Sequence, residues 1–358
     1  MQTACIGHFS VYRIEEIKMS ERYMFGTTAE GERIDALRIF DAKGNSAVII
    51  EYGASVQSLI INGPDGPLDV ILGYDTVEGY EKGNSYSGAT VGRVGNRISN
   101  ACFILDGKEY KVTDNENGNC LHSGTAGMHA KKWNGELEGE TAVLRYRCPD
   151  GSAGFPGNLD TEIRFSLVNA ALHIEYKAVI DKPCPVNLTN HTYFNLAGEG
   201  TILDHELKLE ADKYTTPGPG LLPTGGFSDV EGTPFDFRTF KAIGRDIDSD
   251  SPEIIAEGGY DQNFCLNGNG FRQVADVFCR RSGLGMRIMT DMPGMQIYTG
   301  NYIPEEKGKG TAVYGKNSGV AFETQNYPDS PNRPEFRDIT LRPGQVYSSE
   351  TVFAFYTL

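Results

Sequence analysis

The sequence predicts an all-β fold, a large antiparallel β-sandwich with a few short helices. Three observations lead to this prediction. The chain contains 43 glycines, and turn signals recur along its length. Between the turns lie short runs in which apolar and polar residues alternate, the period of a half-buried strand. Strand-like runs never alternate with long amphipathic helices, so a parallel α/β sheet is not expected.

The strand candidates follow one another along the chain. Residues 101–112 (ACFILDGKEYKV) form two β-prone runs around Asp106-Gly107, a strong hairpin signal. Later runs with one apolar face are 161–167, 172–178, 205–211, 286–290, 295–299 and 351–356. Pro293-Gly294 predicts a turn between two of these runs. Residues 238–247 show a short helical pattern, and we expect His173 and His205 to lie in strands facing solvent.

Size and charge narrow the possible functions. The chain has 358 residues, with 33 Lys and Arg against 48 Asp and Glu, a net charge of −15. A hydrophobic content of 39% supports a large core, and we expect one domain over residues 21–358 after a flexible tail at 1–20. A strongly acidic chain argues against a nucleic-acid partner, because such binders need a basic face.

The sequence predicts neither a membrane span nor a secretory signal. No run approaches the roughly 18 apolar residues of a membrane span. Charges interrupt the first 22 residues, so no signal peptide is predicted. The seven cysteines are odd in number, scattered and without a C-x-x-C pair. They favour reduced thiols in a cytoplasmic protein over a disulfide framework or a zinc site.

Two histidines lie in polar, turn-rich segments. His191 lies in LTNHTYFNL (188–196), where an extended chain places it on one face with Tyr193 and Asn195. Such a face suits a polar ligand, and the alternative is a histidine satisfied inside the sandwich. His122 lies in NCLHSGTAG (119–127), a loop whose small residues allow close approach to a ligand. A loop histidine without a role is the alternative.

Glu323 and Arg97 are the charged candidates. Glu323 lies inside an apolar strand (GVAFETQNYPDSPN, 319–332), and a carboxylate buried there must be paired or functional unless its face is exposed. GATVGRVGNRI (88–98) lacks the lysine of a phosphate-binding loop, so a nucleotide is not expected. Arg97, beside Asn96, can form bidentate hydrogen bonds to vicinal hydroxyls or a structural ion pair. Asp261, in GYDQNFCL, can equally be an ordinary turn residue.

No spacing typical of a metal site is present, and no G-x-S-x-G elbow, so neither a metal nor a serine nucleophile is predicted.

Eight segments in order instead resemble the aldose 1-epimerases, or galactose mutarotases: GRVGNRI, LHSG, PVNLTNHTYFNL, LLPTG, TPFDFR, YDQNFCL, MQIYTGN and FETQNYPD. The resemblance implies the galactose mutarotase-like supersandwich and a sugar-binding cleft. It implies mutarotation of free hexoses such as galactose and glucose without a cofactor, with a monosaccharide as the partner. A monomer or homodimer is expected.

The resemblance also implies roles for residues at matching positions. Glu323 is the general base toward the C1 hydroxyl, His191 the general acid toward the ring oxygen, and His122 a third catalytic residue near that oxygen. Residues expected to hold the sugar hydroxyls are Asn96, Arg97, Asp261 and Gln296, with Tyr193 as a further contact. Ser123 stands where the family usually has a glycine and Gln262 where it often has a histidine. The single tryptophan, Trp133, is expected in the core.

Three other functions stay open at the level of sequence. The first is an epimerase for another aldose or for a sugar phosphate, the second a non-catalytic sugar-binding protein of the same fold. The third is a glycoside hydrolase that uses Asp261 and Glu323 as its two carboxylates. The preferred aldose also stays open, as does the choice between Met1 and Met19 as native start.

Overall fold

Antiparallel strands dominate the structure, a computed structural model that describes residues 19–83, 86–124 and 127–358. This confirms the predicted all-β class. Residues 1–18, most of the predicted tail, lie outside the described residues, and the division into a tail and one domain stays a prediction. Within the described residues, no helix is long and apolar enough to span a bilayer.

The described residues form thirty strands and two short α-helices, and their bounds are as follows. The strands are β1 (Glu21–Thr27), β2 (Arg33–Phe40), β3 (Ser46–Ile50), β4 (Ser55–Gly63), β5 (Gly66–Asp69), β6 (Thr90–Val91), β7 (Arg97–Ile98), β8 (Cys102–Leu105), β9 (Lys108–Lys111), β10 (Cys120–Leu121), β11 (Asn134–Glu138), β12 (Thr141–Cys148), β13 (Leu159–Val168), β14 (Ala171–Ile180), β15 (Cys184–Pro185), β16 (Thr189–Asn190), β17 (Tyr193–Phe194), β18 (Glu206–Leu209), β19 (Lys213–Pro217), β20 (Pro223–Asp229), β21 (Lys241–Ala242), β22 (Asp261–Cys265), β23 (Arg272–Cys279), β24 (Leu284–Thr290), β25 (Gly294–Tyr298), β26 (Glu306–Lys307), β27 (Val313–Tyr314), β28 (Val320–Gln325), β29 (Thr340–Leu341) and β30 (Tyr347–Thr357). The helices are α1 (Val77–Lys82) and α2 (Pro252–Glu257).

Three larger sheets organise these strands. A five-stranded sheet runs β1-β2-β3-β4-β5, and a six-stranded sheet runs β17-β28-β25-β22-β19-β20. The largest sheet has nine strands in the order β11-β12-β13-β14-β30-β24-β23-β18-β21. Side chains from all three sheets share one hydrophobic core, among them Ile49, Phe165 and Phe322. Trp133 lies in this core, fully buried, as predicted.

Most of the predicted strands are confirmed. The hairpin at 101–112 consists of β8 and β9, and its turn residues Asp106 and Gly107 both have positive φ, as a tight two-residue turn requires. The alternating runs at 161–167 and 172–178 lie within β13 and β14 and bury their apolar face. The turn at Pro293-Gly294 carries the chain from β24 in the nine-stranded sheet to β25 in the six-stranded sheet.

Two local predictions were wrong. Residues 238–247 contain β21 and a 3-10 turn at Ile243–Arg245 instead of an α-helix. The buried ammonium of Lys241 holds this bend, because it donates to the Pro234 carbonyl (2.5 Å) and to Asp246 Oδ2 (3.0 Å). His205 is buried and precedes β18, and its Nε2 accepts a hydrogen bond from the Leu196 N–H at 2.9 Å. It has the same parity as the buried residues Leu207 and Leu209, which explains its inward direction.

Candidate active site

A cavity of about 770 Å³ opens above the six-stranded sheet. Its wall includes seven of the eight predicted site residues: Asn96, Arg97, His122, His191, Tyr193, Asp261 and Glu323. The eighth, Gln296, contacts this wall, because its Nε2 donates to Asp261 Oδ1 at 2.5 Å. The volume lies within the range of small-molecule sites.

Strand register places one half of the site. Glu323 on β28 lies opposite Gln296 on β25, and Tyr298 on β25 lies opposite Asp261 on β22. Tyr193 on β17 pairs with Ala321, two residues before Glu323, so it belongs to the same face. Alternate residues such as Phe322 and Ile297 point into the core. The six-stranded sheet therefore has one apolar face that packs on the core and one polar face that forms the bottom of the cavity.

Two loops supply the other half of the site. Asn96, His122 and Ser123 all have positive φ, at 60°, 50° and 64°. Residues other than glycine rarely adopt this conformation, and it clusters at functional sites. The Asn96 carbonyl accepts a hydrogen bond from the His122 N–H at 2.9 Å. Ser123 Oγ accepts from the Val94 N–H (2.9 Å) and donates to its carbonyl (3.1 Å). This hydroxyl therefore connects the His122 loop to the segment that precedes β7.

The hydrogen bonds of His122 fix its tautomer. The Asn96 N–H donates to His122 Nδ1 at 3.1 Å, so this nitrogen carries a lone pair. Burial, helped by the neighbouring His191 and His129, lowers the pKa of His122 well below its usual value, and the ring is neutral. A neutral ring with a free Nδ1 has its proton on Nε2. His122 is therefore a hydrogen-bond donor at its second nitrogen.

The same tautomer bears on metal binding. Ligand atoms of His122, His191 and Glu323 all lie within 4.8 Å of one another, a spacing that one ion can bridge. A histidine ligates through a nitrogen lone pair. In His122 the Nδ1 lone pair is used by the Asn96 N–H and Nε2 is protonated. The donor set therefore does not fit a resident metal.

His191 and Glu323 face each other across the cavity. His191 Nε2 lies 3.6 Å from Glu323 Oε1, and both side chains are at least 95% buried. Neither His191 Nδ1 nor Glu323 Oε2 has a hydrogen-bond partner among the described residues. Burial, with a contribution from Asp261, raises the pKa of Glu323 well above its usual value, and burial lowers the pKa of His191 to about 4. Each group therefore titrates far from its solution value, as acid–base groups in active sites do.

Arg97 meets a partner that the sequence analysis missed. Its Nε and Nη2 donate to the two carboxylate oxygens of Glu116, both at 2.7 Å. The bidentate pair expected for sugar hydroxyls is thus formed with a protein carboxylate, as in the ion-pair alternative. Arg97 still lines the cavity. Glu116 lies in the loop before β10, 19 residues away in sequence, and no local pattern connects the two residues.

Three further residues of the wall were not predicted. The ring of Tyr86 packs against His122 (4.7 Å between centroids) and His191 (5.7 Å), so it fixes both imidazoles. Tyr298 extends the polar face of β25, and Glu257 ends helix α2 beside Asp261. The position of Tyr298 was available from the sequence, since it has the same parity as Gln296. Tyr86 and Glu257 reach the cavity only through tertiary folding.

Comparisons with known proteins agree with this geometry. The model of the aldose 1-epimerase family matches residues 35–354. The chain is 39% identical to the galactose mutarotase of Bos taurus over 316 residues, 86% of this chain and 90% of the relative. It is 35% identical to the aldose 1-epimerase of Escherichia coli K12 over 334 residues, 91% of this chain and 96% of the relative.

A solved structure is similar over almost its whole length. The GalM/aldose epimerase homologue from C. elegans superposes with a TM-score of 0.85 at 30% identity, covering 90% of this chain and 99% of that chain. The family match at residues 35–354 includes the sheet floor and the loops that hold the candidate residues. The chain belongs to the aldose 1-epimerase family.

Proposed function

We propose that this chain is a mutarotase that interconverts the α and β anomers of free hexoses such as galactose and glucose. One observation carries the proposal: the buried pair of Glu323 Oε1 and His191 Nε2, 3.6 Å apart in a cavity. The two oxygens that exchange protons in mutarotation are both bonded to C1 of the sugar. An acid and a base that serve them must therefore lie a few ångströms apart, as these two groups do.

The reaction needs one proton to leave and one to arrive. Glu323 takes the proton of the C1 hydroxyl, the bond between C1 and the ring oxygen breaks, and His191 gives its proton to the ring oxygen. The open-chain aldehyde turns about the C1–C2 bond. The same steps then run in reverse on the other face of the carbonyl. Atoms and protons balance over the cycle, so no further reactant is needed.

The pKa shifts define which proton states take part. Ring opening starts from ionised Glu323 and protonated His191 and ends with protonated Glu323 and neutral His191. Before and after ring opening, Glu323 and His191 together carry one titratable proton, first on His191 and then on Glu323. Burial favours the uncharged arrangement of the empty site. The unliganded pair therefore has the proton distribution that accompanies the open-chain sugar, and hydrogen bonds from the bound ring sugar shift it to the ionised form.

Neighbouring groups hold the sugar. The Nε2–H of His122 suits the ring oxygen, where it opposes the build-up of negative charge. Asn96, Arg97, Tyr193 and Asp261 surround the cavity with donors and acceptors, and Gln296 supports Asp261. On sequence grounds we also propose a cytoplasmic location and a monomer or homodimer.

The direct test of the function is polarimetry. We expect the enzyme to speed the approach of freshly dissolved α-D-galactose and α-D-glucose to their final rotation, without changing that rotation. Spontaneous mutarotation at the same pH sets the baseline. A folded sample that leaves both rates at this baseline would contradict the proposal and favour another aldose, a sugar phosphate or a binding role.

Arg97→Ala should chiefly weaken substrate binding. The change removes a wall residue and leaves Glu116 without its bidentate partner, so we expect KM for galactose to rise about tenfold, the scale of one charge-assisted hydrogen bond. Initial rates over a range of galactose concentrations measure it. Arg147→Ala, on the exposed face of β12, is the control. An unchanged KM would argue against contact between Arg97 and the sugar.

The pH profile should be broad. An isolated histidine acid with its ordinary pKa would lose activity above about pH 6.5. A buried pair that keeps one shared proton titrates as a unit. Burial lowers the pKa of His191 to about 4 and raises that of Glu323 well above its usual value, so it widens the pH range over which the pair holds one proton. We expect kcat/KM to stay constant within about threefold from pH 5.5 to 7.5. A tenfold fall across pH 6.5 would contradict the shared proton.

A further inference from the structure

The charges in the cavity wall are strongly unequal. Among the lining residues that the structure describes there is one guanidinium, Arg97, and there are four carboxyl groups, those of Glu116, Glu257, Asp261 and Glu323. Glu116 already occupies two donors of Arg97 at 2.7 Å. A ligand that enters the cavity therefore meets carboxylates in excess and a cation whose charge is already balanced.

Glu257 is the carboxylate whose position is least explained by stability. It is the last residue of α2, at the negative end of the helix, where an acidic side chain is unfavourable. Asp261 and Glu116 add like charge, and burial together with Asp261 raises the pKa of Glu257 to about 7. None of the described residues donates a hydrogen bond to its carboxylate. A glutamine here would avoid these costs, so the charge calls for a functional explanation.

The location of Glu257 defines what it can contact. Asp261 and Arg97 line the same cavity as Glu257 and Glu323, and both influence the pKa of each of these two carboxyl groups. Glu257 thus belongs to the wall of the cavity that holds the reacting pair. Glu323 Oε2, buried in the same cavity without a partner, is a second acceptor that awaits a donor from a ligand. Both carboxyl groups thus lie in the cavity wall without a hydrogen-bond donor among the described residues.

We propose that Glu257 is a specificity-determining residue that makes this cavity select sugars by charge, favouring neutral aldoses and aldoses that carry an ammonium group over those that carry a carboxylate or a phosphate. The inference rests on the proposed function and deepens it. An anionic sugar brings its charge into a partly desolvated cleft where Glu257 and Asp261 have no free cation beside them, and like charges repel strongly there. An ammonium group gains from the same field.

The test compares three sugars that differ only at C6: D-galactose, D-galacturonate and 6-amino-6-deoxy-D-galactose. Their rates of anomer exchange are measured at pH 8, where Glu257 is ionised, together with their dissociation constants by calorimetry. The wild type should show kcat/KM for galacturonate at least about a hundredfold below that for galactose, and the amino sugar should not be disfavoured. Raising the salt concentration should reduce the ratio of kcat/KM for galactose to kcat/KM for galacturonate, because salt screens the charges in an open cleft.

Glu257→Gln should reduce the ratio of kcat/KM for galactose to kcat/KM for galacturonate about tenfold. The substitution removes one charge and leaves the shape of the side chain nearly unchanged. The matched control is Glu253→Gln in the same helix, outside the cavity wall, which removes an equal charge. Galacturonate accepted as well as galactose would overturn the inference, as would an equal change in both variants. If galactose itself is not turned over, the proposed function fails, and the ratio of dissociation constants still decides whether Glu257 selects by charge. Thermal melting shows that each variant is folded.

Discussion

Replacing Glu323 by glutamine should lower kcat for galactose at least about a hundredfold, the usual scale of a general acid–base group. The amide has the size of the carboxylate but cannot take a proton from the C1 hydroxyl. Glu323 is 98% buried, so solvent has little room to act as a substitute base. Polarimetry at saturating sugar measures the effect, because a loss in kcat separates chemistry from binding.

Two controls make the Glu323→Gln result decisive. Glu109→Gln, on the exposed strand β9, changes the same functional group away from the cavity. Calorimetric binding of galactose should persist in Glu323→Gln, because the neighbouring donors and acceptors are unchanged. If Glu323→Gln keeps a near-normal kcat, Glu323 is not the general base. Asp261, in the same cavity wall, would then be the next candidate.

His191→Asn should also lower kcat at least about a hundredfold. Asparagine is polar and fits the space, but its amide cannot supply a proton to the ring oxygen. Because His122 is fixed as a neutral donor by the Asn96 N–H, it stabilises the ring oxygen without replacing the lost acid. His173→Asn, at a half-buried position of β14 outside the cavity wall, is the matched control.

Combining the two changes tests whether Glu323 and His191 act as one unit. Groups that serve a single step are strongly non-additive, so the double variant should lie within about tenfold of the slower single variant. A double variant whose losses multiply would indicate two independent contributions. Retained activity in His191→Asn alone would assign the acid to His122 or to water.

The sequence predicts the strands better than it predicts the connections. The runs in β13 and β14 alternate because one face packs on the core, and this alternation is visible locally. Residues 238–247 have helix-like apolar spacing, but the buried Lys241 finds its partners in Pro234 and Asp246, which no local pattern shows. His205 was wrongly expected at the surface although it continues the parity of Leu207 and Leu209.

The candidate site was identified through resemblance rather than local pattern. Glu323 could be singled out as a carboxylate in an apolar strand, because burial makes such a residue costly, and His191 and Tyr193 as polar residues on one face of an extended segment. The contact between Arg97 and Glu116 and the packing of Tyr86 on two histidines required the fold, since these residues come from separate loops. The tautomer of His122 depends on one backbone N–H and lies beyond any sequence argument.

The order of strands has a consequence for synthesis of the chain on the ribosome. Strand β30, residues 347–357, lies in the middle of the nine-stranded sheet, between β14 and β24. Glu323 arrives almost as late, on β28, which lies between β17 and β25. Until these segments leave the exit tunnel, both sheets have unpaired interior edges that can recruit other nascent chains. We therefore expect a chain truncated before residue 347 to aggregate rather than to fold into a slightly shortened enzyme.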